Sequence, residues 1–168
     1  MKQCLCIFIL SIVSINSSAQ NLQLFNLIKN TGKIDRFIFV TTKMPNQDLI
    51  ELASQARIAK MTMILNGFVD SSSSGLENTK QKIAEINTAC CGNNGPSWEI
   101  YPQLFEKFNI KEGPSFVISI RNPQSLSDYT KVTGVMSVQN ALKFIYSGSL
   151  DSQIKADAKS AYKGFDND

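Results

Sequence analysis

The chain has 168 residues and no histidine, and its 17 Lys and Arg against 14 Asp and Glu give a net charge of +3. The absence of histidine excludes Ser-His-Asp and Cys-His nucleophile systems and histidine-based zinc sites. So small a positive charge, without a basic block, does not favour binding to nucleic acid or to anionic lipid. The length suits a single domain, and because no glycine-rich phosphate loop is present we expect neither a metal nor another cofactor.

Residues 1–19 have the features of a secretory signal peptide. An almost unbroken apolar run occupies residues 5–15, and Ser17 and Ala19 are small residues at the positions that signal peptidase inspects. As a helix the run would extend about 16 Å, well short of the ~30 Å core of a bilayer. We therefore expect cleavage after Ala19, export to the periplasm and no stable membrane insertion afterwards.

The first half of the exported chain predicts alternating strands and helices. A lead segment at 20–35 is followed by a buried strand at 36–41, rich in aromatic and β-branched residues. Asn46 is a candidate N-cap for the next helix, and a second strand is predicted at 61–65. Ser74 and Glu77 have the spacing of a capping box, which predicts a helix from 75 to about 89.

The second half predicts an extra segment and then two strands and a helix. Short elements are expected at 98–100 and 102–108, strands at 115–120 and 129–135, and a final helix capped by Ser137. The polar residues after Gly148 predict a loosely attached helix or tail, so the domain is placed at 36–147 and the tail at 148–168. Strands linked through helices are expected to be parallel and the last pair antiparallel, which gives an α/β fold with a mixed central sheet flanked by helices.

This order of elements resembles the thioredoxin fold. Gly113 and Pro114, directly before the strand at 115–120, resemble the cis-proline loop that faces the active-site thiols in thioredoxins, and on this resemblance we predict that Pro114 is cis. In thioredoxins the nucleophilic cysteine lies where the first strand meets its helix, since a helix N-terminus lowers the pKa of a thiol. Residues 41–45 occupy that place here and read TTKMP, without a cysteine.

A narrower resemblance is to TrbC, the pilus-assembly family of F-type conjugative type IV secretion systems. The stretch FIFVTTKMP at 37–45 resembles the family's VFVSxSMP, and LNGFVD at 65–70 resembles LRGLxDGS. Downstream, IYPQLF at 100–105, GPSFV at 113–117 and TGVMSVQNAL at 133–142 resemble IDPxLFxxF, VPxFV and xGDVSLxxAL. The chain departs from the family at Tyr101, where an aspartate would cap the following helix.

The TrbC resemblance implies a periplasmic, non-enzymatic component of pilus assembly that works with other envelope proteins, notably TraW. The thioredoxin resemblance implies a peptide-binding groove where two loops converge. We take Thr42, Met44 and Pro45 from one loop, and Gly113 and Pro114 from the other, as the candidate partner groove. An aromatic residue such as Phe68 is a candidate for apolar contact in the same groove. The alternative is that Met44 packs against the start of its helix and the groove is vestigial.

Cys90 and Cys91 support a rival hypothesis, a periplasmic thiol-disulfide oxidoreductase or isomerase. Both are predicted to lie at the C-terminal end of their helix, with Gly92 after it, and the partial negative charge there disfavours a thiolate. Three states stay open for the pair: a strained vicinal disulfide, a disulfide to a partner, or two thiols packed against the helix. The residues themselves therefore indicate no catalytic group.

Overall fold

The computed structural model describes residues 33–92 and 94–166, so the predicted signal peptide and nearly all of the predicted lead segment lie outside the described residues. The strands are β1 Ile34–Val40, β2 Thr62–Leu65, β3 Trp98–Ile100, β4 Ser115–Ile120 and β5 Tyr129–Thr133. The helices are α1 Asn46–Ala59, α2 Gly75–Cys91, α3 Pro102–Lys107, α4 Val138–Gly148 and α5 Ser152–Lys163. Within these described ranges, none of the helices has the length and apolar character needed to span a bilayer.

The described strands form one mixed sheet in the order β3-β2-β1-β4-β5. β1 pairs in parallel with β2, and β2 with β3, whereas β4 is antiparallel to both β1 and β5. The predicted mixture of parallel and antiparallel strands is therefore confirmed. Because β1, β2 and β3 are parallel, the loops that follow them leave the same edge of the sheet.

Alternate residues of β1 enter two hydrophobic cores on opposite faces of the sheet. Ile38 and Val40 pack with the buried faces of α1, α4 and α5, whereas Phe39 packs with Phe105 of α3 and with Phe108 directly after it. The second core is aromatic: the ring centroid of Phe39 lies 4.9 Å from that of Phe105 and 5.9 Å from that of Phe108. The sheet is thus covered by helices on both faces, and β1 at its centre holds the loop at 41–45 in place.

The helix starts only partly follow the predicted caps. Ser137 caps α4 as expected, since its hydroxyl accepts a hydrogen bond from the backbone N–H of Asn140 at 3.1 Å. The prediction for Asn46 is wrong, because the cap position is occupied by Pro45 and Asn46 is the first helical residue. The capping box of Ser74 is also not formed: Ser74 has φ −94° and ψ 3°, and its side chain makes no cap hydrogen bond.

The expectation of a loosely attached tail at 148–168 is wrong. Helix α5 buries Ile154, Ala158 and Ala161 in the larger core, at the i, i+4, i+7 spacing of one helical face. Asp157 on the same helix accepts two hydrogen bonds from the guanidinium of Arg36 in β1, each at 2.7 Å. The compact unit of the described chain therefore includes α5.

Candidate partner groove

The structure brings the β1–α1 loop and the loop before β4 to the same edge of the sheet. The Gly113–Pro114 peptide bond is cis, as predicted from the thioredoxin resemblance. The Pro114 carbonyl accepts a hydrogen bond from the backbone N–H of Gly134 at 3.0 Å, which ties this loop to the end of β5. On the other side the N–H of Met44 donates to the carbonyl of Thr41 at 3.2 Å and closes the turn that enters α1.

Between these loops lies a groove of about 250 Å³, called here the Met44–Pro114 groove. Its lining combines an apolar set with polar groups on α1 and at the start of α4: Met44, Asp48, Glu51, Leu52, Gln55, Pro114, Val135, Met136 and Ser137. Val135 is 92% exposed, although its side chain is apolar. Met44 and Met136 are half-buried, because both pack partly against the larger core, and the groove that they line is an open concavity.

Gln55 fixes the two helices that form the groove walls. Its side-chain oxygen accepts the backbone N–H of Val138, the first residue of α4, at 2.7 Å. Its amide nitrogen donates to the carboxylate of Glu51 at 3.1 Å. Helices α1 and α4 are therefore connected at the groove itself, and the carboxylates of Asp48 and Glu51 stand on the α1 wall.

The five residues predicted for the groove do not all line it. Met44 and Pro114 both line it. Thr42 instead borders a separate small depression against α2, and its carbonyl accepts a hydrogen bond from Lys82 Nζ at 2.8 Å. Pro45 is exposed at the start of α1.

Gly113 does not line the groove, and a Cβ atom there would lie 3.4 Å from the carbonyl oxygen of Phe39 in β1. Phe68 is 51% exposed but does not line the groove. Val135 and Met136 were not predicted as groove residues. The sequence feature that could have indicated them is an apolar pair directly after Gly134, in a loop where solvent-facing residues are expected to be polar.

The cysteine pair lies elsewhere. Helix α2 ends at Cys91, followed by Gly92 with φ +59°, so both cysteines occupy the helix C-terminus as predicted. Their sulfur atoms lie 2.15 Å apart as a vicinal disulfide. The last turn of α2 has no basic residue, and neither cysteine lines the Met44–Pro114 groove.

Perturbed carboxyl groups also lie outside the groove and are explained by local structure. Hydrogen bonds from Ser72 and Asn78 lower the pKa of Asp70, which organises the turn before α2. Among the residues that the structure describes, no three His, Cys, Asp or Glu side chains lie close enough together to hold a metal ion. The Met44–Pro114 groove itself is lined by apolar side chains and by the carboxylates of Asp48 and Glu51.

Together, the strand order, the cis-proline before β4 and the groove beside it define a thioredoxin-like domain. The family described as type-F conjugative transfer system pilin assembly protein matches residues 38–145. The chain belongs to this family, TrbC of F-type conjugative systems.

No curated protein matches the sequence. A secreted disulfide oxidoreductase of Mycobacterium tuberculosis, homologous to E. coli DsbE, is similar over 79% of this chain and 85% of its own, with 14% identity and a TM-score of 0.42.

Proposed function

We propose that the protein is a non-catalytic, periplasmic assembly factor of an F-type conjugative pilus and that it binds another envelope protein through the Met44–Pro114 groove. The observation that carries the proposal is a peptide-sized groove beside the cis-proline, with TTKMP where a thioredoxin carries its nucleophilic cysteine. The groove retains the geometry for holding a polypeptide and has no thiol to react with it. Membership of the pilin-assembly family supplies the biological setting.

The groove is suited to an extended segment of the partner. A strand-like segment would pair with the backbone beside Pro114 and place alternate side chains against Met44 and Met136. Methionine side chains adapt to irregular apolar surfaces, which favours this contact. The carboxylates of Asp48 and Glu51 on the same wall favour a segment that also carries Lys or Arg.

A TraW-like protein of the same transfer system is the proposed partner, and co-purification tests it. The purified chain should retain the partner, and Met44→Glu should weaken retention at least tenfold because a charge would occupy the apolar part of the groove. Leu76→Glu is the matched control, since Leu76 is 46% exposed on α2 and does not line the groove. Equal retention by both variants would show that the groove is not the interface.

A thiol-disulfide oxidoreductase is the second candidate, and the paired sulfur atoms of Cys90 and Cys91 are the observation in its favour. Their position opposes it, because the C-terminal end of a helix destabilises a thiolate. An insulin-reduction assay separates the two functions. Turnover by the wild type that disappears in Cys90→Ser/Cys91→Ser would establish the enzyme.

A further inference from the structure

Helices α4 and α5 enclose a second concavity of about 290 Å³, called here the tyrosine–lysine pocket. Its lining residues come from the two helices and the turn after α5: Lys143, Tyr146, Lys159, Tyr162, Lys163 and Asp166. The pocket shares no residue with the Met44–Pro114 groove. Most of it depends on α5, which lies beyond the family match at 38–145.

The chemistry of this pocket is cationic at the rim and apolar within. Three lysines and one carboxylate line it, and the Lys159 ammonium lies 5.6 Å from the centre of the Tyr146 ring. That contact holds the amine over the aromatic surface. Tyr162 is half-buried and packs partly against the larger core. Lysine side chains cover apolar surface with their stems and present the charge to solvent.

We propose that the tyrosine–lysine pocket binds an acidic segment of a partner protein, with an apolar side chain between the tyrosines and carboxylates at Lys143 and Lys159. Charge complementarity identifies this occupant, since the lining carries more positive than negative groups and has apolar surface for a side chain. A nucleic acid requires an extended basic surface to follow its phosphates. This chain has a net charge of only +3, and the three lysines of the pocket line a short concavity rather than an extended basic surface.

The test is a titration of the purified protein with defined peptides, followed by the NMR signals of the Tyr146 and Tyr162 rings. An eight-residue peptide of alternating Glu and Leu should give saturable shifts of these signals, whereas the same peptide with Lys for Glu should give none. Lys143→Glu/Lys159→Glu should weaken the binding at least tenfold. The matched control is Lys107→Glu/Lys111→Glu, two exposed lysines outside the pocket, which should change the affinity by less than about twofold.

A third variant separates the pocket from general charge attraction. Tyr146→Ala leaves the charge unchanged and should still weaken binding of the Glu-Leu peptide several-fold, because the apolar wall is lost. Equal weakening by the pocket and control lysine variants would overturn the proposal. Tighter saturable binding of a single-stranded oligonucleotide, or of phosphatidylglycerol vesicles, at the same two rings would also overturn it.

Discussion

The attachment of α5 through Arg36 and Asp157 gives the most quantitative prediction. Nε and one terminal nitrogen of Arg36 each lie 2.7 Å from an oxygen of Asp157, so the pair is bidentate. The other terminal nitrogen donates to the carbonyl of Ala59 at 2.8 Å. Both side chains are 18% exposed, which places the pair between a surface ion pair and a buried one.

Replacing Asp157 by Ala should lower the free energy of unfolding by about 2 kcal/mol. Breaking a fully buried pair costs about 3–5 kcal/mol and an exposed pair less than about 1 kcal/mol. The value for Asp157 lies between them because Arg36 retains its bond to Ala59 and some contact with water. With a urea slope of roughly 1.5–2 kcal/mol/M, the unfolding midpoint should fall by about 1 M.

Urea unfolding followed by circular dichroism measures this change. Asp35→Ala is the matched control, because Asp35 makes a single 3.0 Å contact with Arg121, whose side chain is 43% exposed. The control should move the midpoint by roughly a third as much or less, since solvent screens this pair. Equal shifts in the two variants would refute the assignment of Asp157 as the attachment of α5.

Three further substitutions test other contacts of the fold, and each is measured by urea unfolding. Ser137→Ala removes the hydroxyl that accepts from Asn140 N–H and should cost about 1 kcal/mol, whereas Ser137→Gly should cost less than the alanine variant if capping is the cause. Phe108→Ala should cost about 4 kcal/mol, because Phe108 is 1% exposed and contacts three other rings; no loss would contradict an aromatic core. Asp128 has a lowered pKa, chiefly because the backbone N–H of Gln124 donates to it. The contribution of Asp128 to the free energy of unfolding is therefore fully present above the ordinary carboxyl pKa of about 4. It is lost as the pH falls through the lower pKa of the folded state. Asp128→Asn should reduce stability at pH 7 and weaken the acid dependence, and an unchanged acid dependence would contradict this.

The strands were predictable because their signals are local. The segments at 98–100 and 115–120 have the predicted bounds, since runs of aromatic and β-branched residues between turn residues mark strands directly. The residues that cap a helix are harder to predict from local sequence than strands are. A cap requires the residue before the helix to be extended, and Ser74 instead continues the turn organised by Asp70.

Helix α5 shows how polar composition misleads. The polar residues after Gly148 predict a loose tail, yet Ile154, Ala158 and Ala161 have helical spacing. Two of the three are alanines, which are too small to mark a buried face by hydrophobicity alone. The attachment also depends on Arg36, 121 positions away from Asp157, and no local pattern predicts such a contact.

Some residues of the candidate groove could be predicted from the thioredoxin resemblance. Others could not, because their positions depend on tertiary packing. Pro114 and Met44 were placed correctly because the cis-proline loop and the β1–α1 loop have known positions in a thioredoxin-like fold. Thr42 was misplaced because residues 41–44 form a turn, and in this turn Thr42 borders the depression against α2 rather than the groove. Met136 enters the groove from the β5–α4 loop, whose approach depends on packing of the whole domain.

In the function proposed for this protein, the Met44–Pro114 groove acts and the cysteine pair does not. The most direct measurement is the frequency of conjugative transfer from a donor strain that lacks this gene and is complemented with each variant at equal protein level. We expect wild-type transfer with Cys90→Ser/Cys91→Ser and with Leu76→Glu, and a loss of at least tenfold with Met44→Glu. Loss of transfer in the cysteine variant, with normal transfer in the Met44 variant, would contradict it.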